Sequence, residues 1–263
     1  MPRTAAFFDL DKTIVAKSST LAFSPSLYRG GLINRRDVLR SAYGQLVYRL
    51  GGADHQQMLK VREYLSLMVA GWDVQTVREI VADTLQHVVQ PLVYAEAVEL
   101  IDEHHKAGRD VIIVSTAGAD VVEPIGELLG ADRVIATQLG VEHGKYTGEI
   151  TFYAYGDDKA HAMRELADEQ GYDLEHSYAY SDSITDAPML EVVGHSFAVN
   201  PDRALRRLAT VCHWPILSWT QATALRRRTA FGVRWRSLGA AAVAGGAAAA
   251  GLVWVASKRR IQR

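Results

Sequence analysis

The chain has 263 residues, 48% hydrophobic and 22% charged, which is enough apolar material for one sizeable core and too much for a disordered protein. Its formal net charge of −1 conceals a division, because Gln221 to Arg263 carries nine Lys/Arg and no Asp/Glu; the acidic remainder excludes a nucleic-acid reader, whose affinity comes from clustered bases meeting phosphates. A single cysteine, Cys212, rules out an internal disulfide, and no basic stretch followed by an apolar run opens the sequence, so a reducing cytosolic setting is expected.

"TAAFF" is a short apolar, aromatic-containing run that reads as a buried strand, and it leads directly into Asp9 and Asp11. From Ser19 to about Val89 apolar residues recur at three- and four-residue spacings, with breaks at Gly30-Gly31, Gly51-Gly52 and Gly71. That pattern predicts three or four helices packed as a small bundle. "PLVYAEAVELIDEHHKAG" is an amphipathic helix with proline near its start and Gly108 after its end. "RDVIIVSTAG" gives a second buried strand, Asp110 to Ser115, followed by a helix from Ala119 to Leu129. "DRVIAT" predicts a third strand, and "LGVEHGKYTGEITFYAYG" a separate β-hairpin turning at Gly144-Lys145. A helix over "DDKAHAMRELADEQ", a strand in "HSYAYSDS", a helix in "TDAPMLEVV", a strand in "HSFAVN" and a last helix in "PDRALRRLA" complete the body. Strands alternating with helices predict an α/β fold with a mostly parallel sheet, whose ligands bind at the carboxyl ends of the strands.

Three predicted strands run into polar groups: Asp9/Asp11, Ser115/Thr116 and Asp182/Asp186, with Lys159 opening a helix that could join them. Gathered at one sheet edge, so many carboxylates need a cation, and oxygen donors suit Mg²⁺. Taken singly, each residue has a plainer reading. Asp9 and Asp11 would serve as a turn or helix N-cap pair, Ser115 as a cap, Lys159 as a solvated helix residue and Asp186 as a helix N-terminal acid.

Together the ordered motifs "FFDLDKT", "VIIVSTAG", Lys159 in "GDDKA" and "YSDSITDAPML" resemble the haloacid dehalogenase (HAD) superfamily, in particular its subfamily IB branch of phosphoserine phosphatases, over roughly Ala5 to Ala209. The resemblance implies a Rossmann-like core at residues 1–18 and 91–220 and a helical cap inserted after the first strand at 19–90. It also implies a Mg²⁺-dependent phosphomonoester hydrolase working through an aspartyl-phosphate. Asp9 would be the nucleophile and Asp11 the general acid and base. Asp9, the Asp11 carbonyl and Asp182 would hold Mg²⁺, with Asp186 supporting. Ser115, the Thr116 amide and Lys159 would bind the phosphoryl group. Thr13 is expected to brace the turn.

One departure bears on substrate. Phosphoserine phosphatases usually carry a glutamate nine residues after the nucleophile, where here stands Ser18, with Lys17 before it. A serine offers an ammonium no compensating charge, which speaks against phosphoserine itself, and Lys17 suits a substrate with a further anionic group; the expected substrate is a small phosphate ester, phosphoserine-like or lipid-linked such as lysophosphatidate. Candidate selecting residues in the cap are Arg29, Arg35, Arg36, Arg40, Tyr28, Tyr43 and Tyr48. The nine histidines do not group as ligands, since the adjacent His104 and His105 point in different directions, and Cys212 reads as a small buried residue.

Ser237 to Ser257 is a 21-residue stretch without charge, close to the ~20 residues a membrane-crossing helix needs. Trp235 and Trp254 lie near its ends with bases outside them, as interfacial anchors do. Residues 221–263 are therefore expected to be a basic membrane-anchoring segment with a C-terminal hydrophobic helix, holding the catalytic domain at the cytoplasmic face. A flexible Ala/Gly tail or an interfacial segment is the competing reading. The small residues of "AGGAAAAG" would let two such helices pack, which admits a homodimer. Outside the catalytic reading stand a membrane-tethered phosphate-binding scaffold without turnover and a phosphotransferase.

Overall fold

The computed structural model describes residues 3–33 and 66–220. The candidate selectors Arg35, Arg36, Arg40, Tyr43 and Tyr48 and the stretch 237–257 lie outside the described residues. Among those that are described, no helix is long and apolar enough to cross a membrane.

Seven strands form one sheet in the order β4-β3-β2-β1-β5-β6-β7: β1 (Ala5–Phe8), β2 (Asp110–Gly118), β3 (Arg133–Glu142), β4 (Lys145–Phe152), β5 (Tyr178–Ser181), β6 (His195–Val199) and β7 (Ile216–Leu217). All neighbours are parallel except the β3/β4 hairpin. Because side chains alternate faces along a strand, β1 sends Ala5 and Phe7 to one side and Ala6 and Phe8 to the other. All four are fully buried, and each pair joins a different apolar cluster.

On the Phe7 side lie α5 (Asp157–Gln170), α6 (Ala187–Glu191) and α7 (Arg203–Val211), through Met163, Met189, Leu190 and Leu205. On the Phe8 side lie α3 (Ala95–Lys106) and α4 (Ala119–Leu129), through Ile101, Val122 and Ile125. That cluster continues through Leu10, Ile14 and Val15 to Phe23 of α1 (Ser19–Arg29) and to Val77 and Val81 of α2 (Val74–Val88), both in the segment expected to form a cap. A three-way bond ties α2 to the sheet. Asp120 of α4 accepts from Arg78 of α2 at 2.6 Å and from the hydroxyl of the buried Tyr146 of β4 at 2.6 Å. Burial and the bond to Asp120 hold the Tyr146 hydroxyl above its ordinary pKa.

Several expectations are corrected. The third strand and the hairpin are one continuous element, since β3 pairs with β2 up to Thr137 and with β4 from Gln138 onward, with irregular register where the partner changes. "TDAPMLEVV" is not one helix but a 3₁₀ turn, Ile184–Asp186, followed by the five-residue α6. Pro91 lies in a separate 3₁₀ turn, Gln90–Leu92, ahead of α3. Cys212 is exposed: α7 stops at Val211, and Trp214 folds back, its amide bonding Ala209 O at 2.8 Å and its ring packing on the cluster where the next helical turn would have gone.

The described chain ends in a clasp. The Asn200 amide donates to Trp219 O and accepts from Trp219 N, both at 3.0 Å, and Thr220 N donates to Glu96 at the start of α3 at 2.9 Å.

Candidate active site

Asp9 is the first residue past β1, and its amide continues the ladder by donating to Tyr180 O of β5 at 2.9 Å. The order β2-β1-β5 therefore sets Ser115, Asp9 and Asp182 along one carboxyl edge. The chain after Asp9 turns tightly: the Ile14 and Val15 amides both donate to Leu10 O, and Lys12 N donates to Val15 O. Lys12 pays for the turn with φ 64°, a left-handed conformation unusual for a side chain of its kind. The Thr13 hydroxyl does not brace this turn, for it is buried without a hydrogen-bond partner.

The charge at the centre is concentrated. Lys159, 1% exposed, places Nζ 2.8 Å from Asp9 Oδ1 and 2.9 Å from Asp186 Oδ1. Gly156, at φ 56°, turns the chain from β4 into α5 so that Lys159 enters from the helix's first turn. Burial works against the ammonium, but Asp186 and Asp9 outweigh it and hold the Lys159 pKa above its ordinary value. Asp186 also accepts from the Ser181 hydroxyl at 2.7 Å. The sequence suggested a supporting role for Asp186 but could not show its ion pair, which joins residues 27 positions apart. A solvated Lys159 is excluded.

Asp9 and Asp182 carry more negative charge than their surroundings balance. Burial first, then the charges of Asp186 and Asp11, push Asp9 up to about 7 in spite of Lys159. Burial and then Asp9 push Asp182 up to about 8. Asp182 receives no side-chain hydrogen bond among the described residues, and its nearest cation is Lys12 at 3.9 Å. Asp11 is raised by burial, with the Ser19 amide opposing at 2.8 Å from Oδ1. One oxygen of Asp11 thus fixes the start of α1, as its capping reading foresaw.

Ser115 is buried, and its Oγ accepts from Ala117 N at 3.2 Å. The Thr116 hydroxyl is occupied, donating to Ala154 O at 2.8 Å, while Thr137 donates to Thr116 O at 2.7 Å and accepts from Ala154 N at 3.3 Å. These bonds lock the end of β2 to the segment that leads into the Lys159 helix. Of the cap candidates, Arg29 bonds back to Pro25 O and Ser26 on its own helix, and Tyr28 is partly exposed on α1.

As a donor set for Mg²⁺, the buried Asp9 and Asp182 carboxylates and the Asp11 carbonyl have the right chemistry: hard oxygens with unbalanced negative charge. Among the described residues no group of three or more His, Cys, Asp or Glu side chains is placed to hold a metal ion, so the set comprises two carboxylates and a main-chain carbonyl.

Residues 6–191 match the family model described as haloacid dehalogenase-like hydrolase. The chain is 61% identical to an inhibition of morphological differentiation protein of Streptomyces azureus, covering 99% of this chain and 95% of that one. It is 56% identical to a protein of Mycobacterium tuberculosis described as a probable phosphatase, covering 98% and 90%. Among solved structures, a phospho-aspartyl intermediate analogue of phosphoserine phosphatase superposes with a TM-score of 0.61 at 20% identity, covering 84% of this chain and 95% of that one, a likeness of fold.

Proposed function

The chain belongs to the haloacid dehalogenase-like hydrolases and is a phosphatase of that family, and on that premise we propose that it hydrolyses phosphomonoesters through an aspartyl-phosphate on Asp9 with Mg²⁺. The observation that carries this reading is the buried Lys159 held between Asp9 and Asp186, beside a buried Asp182 that, among the described residues, has no hydrogen-bonded counter-charge. A site for passive phosphate binding has no use for a buried carboxylate facing the anion it must hold.

Asp9 is the nucleophile. Its free oxygen attacks phosphorus, and the ester oxygen leaves with a proton from Asp11, whose pKa burial raises above the ordinary carboxyl value. Asp11, now a carboxylate, takes a proton from the water that attacks the aspartyl-phosphate, which releases inorganic phosphate and restores Asp9. Lys159 offsets the charge of nucleophile and phosphoryl group, Asp186 holds Lys159 charged and in place, and Ser115 with the Thr116 amide contacts the phosphoryl oxygens. Mg²⁺, held by Asp9, the Asp11 carbonyl and Asp182, would supply the Lewis-acid charge that lets two anions meet.

Residues 1–18 and 91–220 form the catalytic core and 19–90 the cap that selects substrate. Ser18 argues against a free ammonium group as the recognised feature. The uncharged stretch 237–257, flanked by bases, supports anchoring to the inner face of the cell membrane and a lipid-linked ester such as a lysophosphatidate, with a small soluble ester as the other arm. The test measures inorganic phosphate released from phosphoserine, soluble esters and a lysophosphatidate by the full chain with Mg²⁺, beside Asp9→Asn. Turnover on one class and none by Asp9→Asn is expected. Equal turnover by the mutant removes Asp9 as nucleophile, and no turnover on any ester by the native chain refutes the hydrolase reading. Recovery of the full chain in the soluble fraction at low salt refutes the anchor.

A further inference from the structure

Asp182 and Asp186 stand on a short turn after β5; Ser181 and Ser183 bond within it, Ser183 N donating to Ser181 Oγ at 3.3 Å and Asp186 N to Ser183 O at 3.1 Å, but what ties it to the rest of the fold at Asp182 comes from elsewhere in the chain. Asp202, the residue before α7, binds it twice. Its amide donates to Asp182 O at 2.8 Å, and its Oδ2 accepts from Ile184 N at 3.0 Å. The other carboxylate oxygen, Oδ1, accepts from Ala204 N and Leu205 N, both at 2.8 Å, capping α7. One carboxylate therefore spans the gap between a helix that packs firmly on the sheet through Leu205 and Ala209 and the turn that carries both acids.

We propose that Asp202 is a positioning residue for the cation: it clamps the Asp182–Asp186 turn to α7, so that Asp182 is held toward Asp9 against the repulsion of the two carboxylates. Among the described residues Asp182 has no side-chain hydrogen bond of its own, only Lys12 at 3.9 Å, so its orientation is set by the backbone on either side. That backbone is tied at the Asp182 carbonyl and at the Ile184 amide, both to Asp202. An outer partner that orients a metal-binding carboxylate commonly changes metal affinity by roughly 10- to 100-fold when it is lost. The inference rests on the Mg²⁺ reading given above.

The two tasks of Asp202 can be separated. Asn and Ser cap helices as well as Asp does. In Asp202→Asn the amide oxygen still caps α7, while an NH₂ group is turned toward the Ile184 N–H, which it cannot accept. Asp202→Ser caps the helix through a hydroxyl too short to reach Ile184. Titration calorimetry of the full chain with MgCl₂, in 0.05 M and in 0.5 M NaCl, reads the effect alongside thermal unfolding. Both variants are expected to lose only the few degrees of melting temperature that one backbone bond accounts for without Mg²⁺, and to bind Mg²⁺ about 10-fold more weakly at either salt concentration. A loss that vanishes in 0.5 M NaCl makes Asp202 only a screened distant charge and overturns the clamp. Binding within twofold of the native chain in whichever variant folds overturns it as well. A native chain that takes up no Mg²⁺ overturns the cation reading and this inference with it, whereas native binding with unchanged variants overturns this inference alone.

Discussion

Removing divalent cations should invert the ordinary alkaline behaviour of this protein. Asp9 and Asp182 sit at about 7 and about 8 in the folded chain, against 3.8 as the starting value for each. An acid whose folded pKa is raised keeps its proton after the unfolded chain has lost it, so the stability it contributes is present at low pH and lost as pH rises through the folded value. Between pH 6.5 and 8.5 the unfolded groups are fully ionised. Integrating the proton difference over that span gives a loss of about 1 kcal/mol from Asp9 and about 2 kcal/mol from Asp182. His104, which burial and then Arg109 lower to about 4, acts in the opposite sense: the unfolded imidazole is half protonated at pH 6.5, so it adds back about 0.4 kcal/mol across the window, too little to reverse the slope. Mg²⁺ at 100 times its Kd returns about 2.7 kcal/mol, and more at pH 8.5 than at 6.5, because protons compete with it for the same oxygens. Urea unfolding of the EDTA-treated chain at pH 6.5, 7.5 and 8.5, with and without MgCl₂, measures both slopes. Cation-free stability that holds level or rises across the window, or a Mg²⁺ increment no larger at pH 8.5, would refute the reasoning.

Replacing Lys159 by Met leaves Asp9 and Asp186 buried without their shared cation and should cost about 3 to 5 kcal/mol in urea unfolding; a cost under about 1 kcal/mol would mean that the pair is not buried in solution. Tyr146→Phe deletes the 2.6 Å bond to Asp120 that joins β4 to α4; a loss on the order of 1 to 2 kcal/mol is expected by thermal unfolding, and none would place Asp120 wholly with Arg78. Gly194→Ala would set a Cβ 1.7 Å from the Glu175 carbonyl oxygen, so the chain before β6 must shift; about 3 kcal/mol or more of destabilisation is expected, and a melting temperature equal to that of the native chain would show that this approach is looser than described.

The sheet was legible because each strand of the core is a short apolar run ending in a polar residue, and Asp9, Ser115 and Asp182 could be set at its carboxyl edge by that rule. Lys159 was legible by its position at a helix start, though a charged helix gave no sign that this one lysine was buried. Its partnership with Asp186 depends on how α5 and the turn after β5 approach, and no local pattern carries that. Asp202 escaped notice because "NPDRAL" reads as an ordinary capped helix start, and it is one. Cys212 was misplaced because a free cysteine is usually buried; here α7 stops at Val211 and Trp214 takes the place on the cluster, which leaves the thiol exposed. The β3 strand was divided in two because the exchange of partner at Thr137 leaves no mark in composition.

The clasp of Asn200 on Trp219 also has a practical side. The main-chain start is tied at the amino edge of the sheet, where Arg3 bonds Asp110 at 2.5 Å, and Thr220 is fastened at the carboxyl edge that carries Asp9 and Asp182. An enzyme tethered to a sensor chip by its first residues would hold its reacting edge toward the bulk solution. A short linker fused directly after Thr220 would bring the chip surface up against that same edge, so the two immobilised forms should differ in how large an ester they accept.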